Sequence, residues 1–100
     1  MSQVLADLFF SRASARILDF LTDEYSNNPV KDHSRYEIQD KAGVTLRSMN
    51  RWLPILKKVG FIEITRYVSR AEMVRLASNP ITEALIKFRE SLMFIQTKID

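Results

Sequence analysis

Residues 34–60 read SRYEIQDKAGVTLRSMNRWLPILKKVG, and two helices with a tight joint follow from that stretch. Ser34 with Glu37 three residues later is a capping-box pattern: the hydroxyl accepts a backbone N–H of the first turn and the carboxylate reaches back to the cap. It opens a short helix to about Lys41 or Ala42, and Gly43 stands where a left-handed C-terminal cap belongs. Thr45 then caps a second helix. Leu46, Met49, Leu53 and Leu56, at steps of three, four and three, predict its buried stripe, and Gly60 ends it. Pro54 falls inside, where a lost hydrogen bond and a clash with the preceding turn predict a kink. Two helices joined by a short glycine-containing turn are the helix-turn-helix pattern.

Working outward, residues 2–25 carry Val4, Leu5, Leu8, Phe9, Ile17, Leu18, Phe20 and Leu21 at helical spacing. A break near residues 10–12 is expected, with Ser11 or Ser14 capping a new helix, and Ser26-Asn27-Asn28-Pro29 stops it. Beyond Gly60 the period changes. Residues 61–67 and 72–76 read as two strands, joined through 68–71 as a hairpin. That joint has no glycine, which predicts a longer or bulged loop rather than a tight two-residue turn. Asn79-Pro80 starts a final helix to about Lys98. Its Ile81, Leu85, Phe88, Leu92, Ile95 and Ile99 form a heptad-like seam. The expected fold is mainly α with a small β-hairpin (α+β). It is a winged helix-turn-helix in one domain, residues 1–100: 34–60 the helix pair, 61–77 the wing, 80–98 a long C-terminal dimerisation helix.

Composition narrows the function classes. Hydrophobic residues make up 46% of the 100, enough for one core. There is no Cys and a single His, His33, so disulfides, thiolate metal sites and a Cys nucleophile are excluded, and a multi-histidine site would need several chains. The N-terminal residues lack a signal-peptide pattern, and no run of 18 apolar residues exists, which predicts a cytoplasmic protein outside the membrane. There is no Gly-rich phosphate loop, the lone His removes most acid–base arrangements, and Asp19, Asp23 and Glu24 read as a solvated helix face. An enzyme is not expected. The net charge of +3 is uneven: residues 47–75 hold seven basic and two acidic side chains, whereas the remainder holds eight basic and ten acidic. A basic segment on a slightly acidic body points to an anionic partner.

With Met49, Leu53 and Leu56 inward, the second helix of the pair presents Thr45, Arg47, Ser48, Asn50 and Arg51 outward. Arg pairs bidentately with guanine and Asn with adenine, while Ser and Thr serve bases or phosphates. The N-terminal half of such a helix enters the major groove. Arg35 and Tyr36 flank it as further contact candidates, Tyr36 having the core edge as its alternative place. Arg66 and Arg70 on the wing suit a phosphate or the minor groove. Trp52 reads as half-buried packing, and Lys57 and Lys58 as complements of the helix dipole. His33, in the loop before the first helix, reads as a surface or phosphate-contacting residue. Leu5 and Phe9, with Ile81, Leu85, Phe88, Leu92 and Ile95, are the expected homodimer interface, extended by Met93 and Phe94.

Residues 38–51 resemble the helix-turn-helix signature of winged-helix transcription regulators, and residues 53–62 are similar to their recognition-helix end and first wing strand. Residues 5–21 look like the opening helices of small regulators of the ArsR/MarR-like group, archaeal ones in particular. The resemblance implies that Arg47, Ser48, Asn50 and Arg51 face DNA while Met49 and Leu53 face the core. Relatives that sense metals do so through Cys or His clusters, which this chain lacks, so no metal and no cofactor are implied. The expected function is a homodimeric, sequence-specific regulator on double-stranded DNA, its small-molecule effector unspecified. The alternative is a protein-interaction or DNA-organising module with little sequence preference.

Overall fold

The computed structural model describes residues 11–99, with side chains through residue 94. Along the chain come α1 (Arg12–Asn27), β1 (His33–Ser34), α2 (Arg35–Ala42), α3 (Leu46–Val59), β2 (Ile62–Val68), β3 (Ala71–Leu76) and α4 (Pro80–Ile99). Helices and a small antiparallel sheet in this order form a winged helix. The positions of Leu5 and Phe9 and the side chain of Ile95 lie outside the described residues.

Each helix begins at a side chain that supplies an acceptor to an otherwise unpaired backbone N–H. Ser11 Oγ accepts from Ser14 N at 3.3 Å, Ser34 Oγ from Glu37 N at 3.1 Å, Thr45 Oγ1 from Ser48 N at 3.1 Å and Asn79 Oδ1 from Thr82 N at 3.0 Å. The capping box at Ser34 is half used: the Glu37 carboxylate turns to His33, 3.2 Å from Nδ1. Gly43 and Gly60 close α2 and α3 in the left-handed region, at φ 69° and 102°. Two side chains lock these ends. Arg16 Nη1 donates to Gly43 O at 3.1 Å, and Asn79 Nδ2 donates to Gly60 O at 2.8 Å, so the residue that caps α4 also ties it to the end of α3. α3 continues as α-helix through Pro54, which sits on its exposed side.

The sheet has the order β1-β3-β2, all antiparallel. β1 was not visible in the sequence; its two residues pair with Val74 and Met73. The hairpin corrects the expected loop. Val68 pairs with Ala71, so only Ser69 and Arg70 turn the chain, at φ 50° and 71°. Positive φ at both central residues gives a twist that matches the flanking strands, and that requirement outweighs the cost of placing Ser and Arg there. The irregularity lies inside the ladder instead, between Ile64 and Arg66.

One apolar cluster joins every layer: Ile17, Leu18 and Leu21 of α1, Ile38 of α2, Met49, Trp52, Leu53 and Leu56 of α3, and Phe61, Ile62, Val74 and Leu76 of the wing. Three expectations change here. Leu46 is 48% exposed and Trp52 5%, so the stripe of α3 starts at Met49 and passes through Trp52. His33 is buried, because β1 carries it into the sheet beneath the Phe20 ring, whose centroid lies 5.2 Å away edge-on. The seam of α4 is divided: Leu85 and Ile86 pack on this cluster, while Ile81, Phe88 and Leu92 remain about half exposed.

Truncating Leu56, which has no exposed surface, leaves a cavity at the centre of this cluster. Leu56→Ala is expected to cost about 2–5 kcal/mol in urea unfolding. Leu46→Ala is expected to stay within about 0.5 kcal/mol of the native chain. Equal losses would restore Leu46 to the buried stripe.

Candidate nucleic-acid interface

α3 is the element that decides the site. Burial of Met49, Trp52, Leu53 and Leu56 fixes its rotation about its own axis, and at 3.6 residues per turn the side chains between them must point away. Thr45, Arg47, Asn50 and Arg51 are exposed and Ser48 half-buried. Thr45 and Ser48 are partly occupied with each other: the Thr45 hydroxyl accepts from Ser48 N and donates to Ser48 Oγ at 3.1 Å. Arg51 lies over the Trp52 ring, 5.4 Å from its centroid, which steadies the guanidinium without neutralising it.

The two helices of the motif meet on this surface. Arg35, at the start of α2, donates through Nη1 to Asn50 Oδ1. The contact orients the Asn50 amide and leaves its two N–H donors and one oxygen lone pair for another partner. Tyr36 is 74% exposed beside it, so the core-edge reading does not hold.

The wing holds its charge differently. The irregularity at Thr65 makes two successive side chains turn to the same neighbour, as a bulge does. Thr65 Oγ1 donates to Asp32 Oδ2, and Arg66 grips both oxygens of Asp32, from Nε at 2.9 Å and Nη2 at 3.2 Å. Arg75 is likewise engaged, with Glu63 Oε1 at 2.8 Å and Val30 O at 3.1 Å. Two of the seven basic residues of the 47–75 segment are therefore neutralised within the protein. Arg47, Arg51, Lys57, Lys58 and Arg70 have no carboxylate within ion-pair distance among the described residues. Arg70 stands at the wing's tip in the turn itself. The Asp19 and Asp23 carboxylates do not form a merely solvated face: they clasp Arg89 of α4, at 2.8 and 3.0 Å.

No family model matches the chain, and no curated protein matches it. Among solved structures it is similar to the solution structure of a homodimeric winged helix-turn-helix DNA-binding domain from Mycobacterium bovis, described as a possible ArsR-family transcriptional regulator. The two share 18% identity at a TM-score of 0.65, over 99% of this chain and 80% of that one. At that identity the likeness establishes the winged-helix fold and does not bear on an archaeal type. Among the described residues no helix is long and apolar enough to cross a membrane.

The Asp32 knot has a pH signature. Its hydrogen bond from Arg66, and then that from Thr65, hold the Asp32 carboxyl at about 2, below the ordinary 3.8. The folded value is depressed, so the stabilisation is present above pH 3.8 and is lost as pH falls through about 2. Asp32→Asn is expected to lower stability near neutral pH, with the gap to the native chain closing over that window in urea unfolding. A gap that persists at the acid end would assign the loss to packing rather than charge.

Proposed function

We propose that this chain is a homodimeric, sequence-specific regulator that binds double-stranded DNA through α3. The observation that carries the reading is the division of that helix, with Met49, Trp52, Leu53 and Leu56 buried and Arg47, Asn50 and Arg51 outward. Arg47 and Arg51 are the guanine-reading candidates, Asn50 held by Arg35 the adenine-reading one. Thr45, Ser48 and Tyr36 serve phosphates and bases near the helix start, and Arg70 reaches a flank from the wing. Arg66 has a smaller part than its charge suggested, since a DNA contact must compete with Asp32. Support also comes from the fold's solved neighbour, a homodimeric DNA-binding domain, and from the resemblance to ArsR/MarR-like regulators. Residues 1–100 act as one unit in this reading, without a catalytic step, in the cytoplasm.

The dimer surface in this reading is the outer face of α4, where Ile81, Phe88, Leu92, Met93 and Phe94 are 47–61% exposed. Beside it, α1 and α4 leave a mainly apolar groove of about 240 Å³ lined by Ala15, Leu18, Leu85, Phe88 and Leu92, with Thr22 and the Asp19–Arg89 pair also in its wall. An exposed apolar surface of this kind marks an interface more often than a solvated face. A second copy joined there places two α3 helices on successive major grooves of a near-palindromic site.

Duplexes selected from a random pool at near-physiological salt supply the site. On that duplex, Arg47→Ala and Arg51→Ala are each expected to cost about 1–3 kcal/mol of affinity. Binding is expected to weaken steeply as salt rises. Unaltered binding by the double variant would defeat the docking through α3, and equal affinity for random duplex would favour the DNA-organising alternative.

The native chain is expected to scatter light as a dimer at micromolar concentration, and Phe88→Glu with Leu92→Glu to give a folded monomer. A native monomer, or a variant that stays dimeric, would remove the α4 interface.

A further inference from the structure

Away from α3, three potential ligands converge where the end of α1, β1 and the start of α2 meet. Glu24 lies in the last turns of α1, His33 opens β1 and Glu37 is in the first turn of α2. One donor atom from each lies within 4.8 Å of the others. His33 Nδ1 is 3.2 Å from Glu37 Oε1 and 4.0 Å from Glu24 Oε1.

The histidine is the independent sign. Its side chain is only 2% exposed, and Nδ1 is buried without an aligned hydrogen-bond partner although it faces two carboxylates. The Phe20 ring, edge-on at 70°, holds the imidazole plane in place. The carboxylates form the outer rim, with side chains 25% and 30% exposed, so the cluster is open to an entering ion. Lys31 Nζ stands 3.9 Å from Glu24 and 4.0 Å from Glu37, beyond hydrogen-bond contact. Its side chain is half exposed, and its charge partly offsets that of the two carboxylates.

We propose that Glu24, His33 and Glu37 form a three-ligand site for a divalent cation of the zinc class. A neutral imidazole and two carboxylates bind Zn²⁺ at about 2.0–2.2 Å, with water completing a tetrahedron. That geometry sets neighbouring donors about 3.3 Å apart, a spacing the His33–Glu37 pair already has and toward which Glu24, 4.0 Å from Nδ1, would have to close. The imidazole selects against Ca²⁺ and Mg²⁺, which take oxygen donors. A bound ion would join α1, β1 and α2 at one point and stabilise the folded chain by mass action.

The test uses the full chain, stripped with a chelator and titrated with Co²⁺ and then with competing Zn²⁺. The expected result is one equivalent per chain, a visible Co²⁺ absorption of tetrahedral intensity, and a rise in Tm on adding Zn²⁺. Glu24→Gln and Glu37→Gln sit at the rim, where folding is least at risk and circular dichroism verifies it. Each is expected to weaken binding at least tenfold, and Lys31→Ala to strengthen it. A folded native chain with no saturable uptake would overturn the site and leave a plain His–Glu pair. Uptake unchanged in both rim variants would overturn it equally. The DNA-binding reading is tested by the α3 arginine variants on selected duplex, so either proposal stands or falls without the other.

Discussion

The rotation of α3 about its axis governs the rest of the molecule. Four of its side chains enter the cluster built by Ile17, Leu21, Ile38, Val74 and Leu76. Turning the helix by one residue, about 100°, would carry guanidinium and amide groups toward that cluster and Met49 and Leu56 toward water. Burying an unpaired charge costs far more than a surface contact returns, so the inward face is settled by what it excludes as much as by what it packs. The ends are set by different means. Thr45 and the left-handed Gly43 fix where the helix begins, and the clip from Asn79 to Gly60 fixes where it stops. Position, length and rotation of the exposed Arg47–Arg51 surface are thereby fixed by groups that lie outside it.

Charge is distributed on the same logic. The 47–75 segment looks evenly basic along its length, yet β2 and β3 return part of that charge to the protein through Asp32 and Glu63. What remains concentrates on α3, at its end and at the wing tip. The bulge at Thr65 accounts for the Asp32 part of this sorting: without an extra residue, Thr65 and Arg66 would point to opposite faces, and Asp32 could not hold both, whereas Glu63 and Arg75 are direct cross-strand partners. The wing is secured to the loop ahead of β1 at the expense of one unpaired cation.

What was legible in the sequence was local. Ser11, Ser34, Thr45 and Asn79 each cap a helix within three residues of themselves, and Gly43 and Gly60 end helices by a property of their own backbone. The outward set on α3 was legible for the same reason, since one periodic helix fixes both of its faces. What escaped depends on distant partners. β1 has two residues and exists only because β3, some forty residues on, pairs with it, and the burial of His33 follows from that pairing. Leu46 fits the apolar spacing, but it sits in the first turn of α3, where Trp52 and not Leu46 completes the buried face. Ser69 and Arg70 carry no preference for positive φ, yet strand twist imposes it. The Asp32 knot gave no local signal, because its members lie more than thirty residues apart.

α4 shows why a heptad pattern under-determines its partner. Leu85 and Ile86 go to the molecule's own core, and Phe88 and Leu92, the next members of the same seam, stay about half exposed. Between them Arg89 reaches back to Asp19 and Asp23 of α1. Those carboxylates are mostly exposed, at 61% and 64%, and exposed pairs contribute only about 0–1 kcal/mol. Their weight is geometric. A guanidinium shared by two carboxylates one helical turn apart joins α4 to α1 at one point, and α1 packs on α3 through the shared cluster. If two copies join through α4, the separation of their α3 helices depends on this clasp and on the Asn79–Gly60 tie between α4 and α3, groups that lie outside the exposed face of α3.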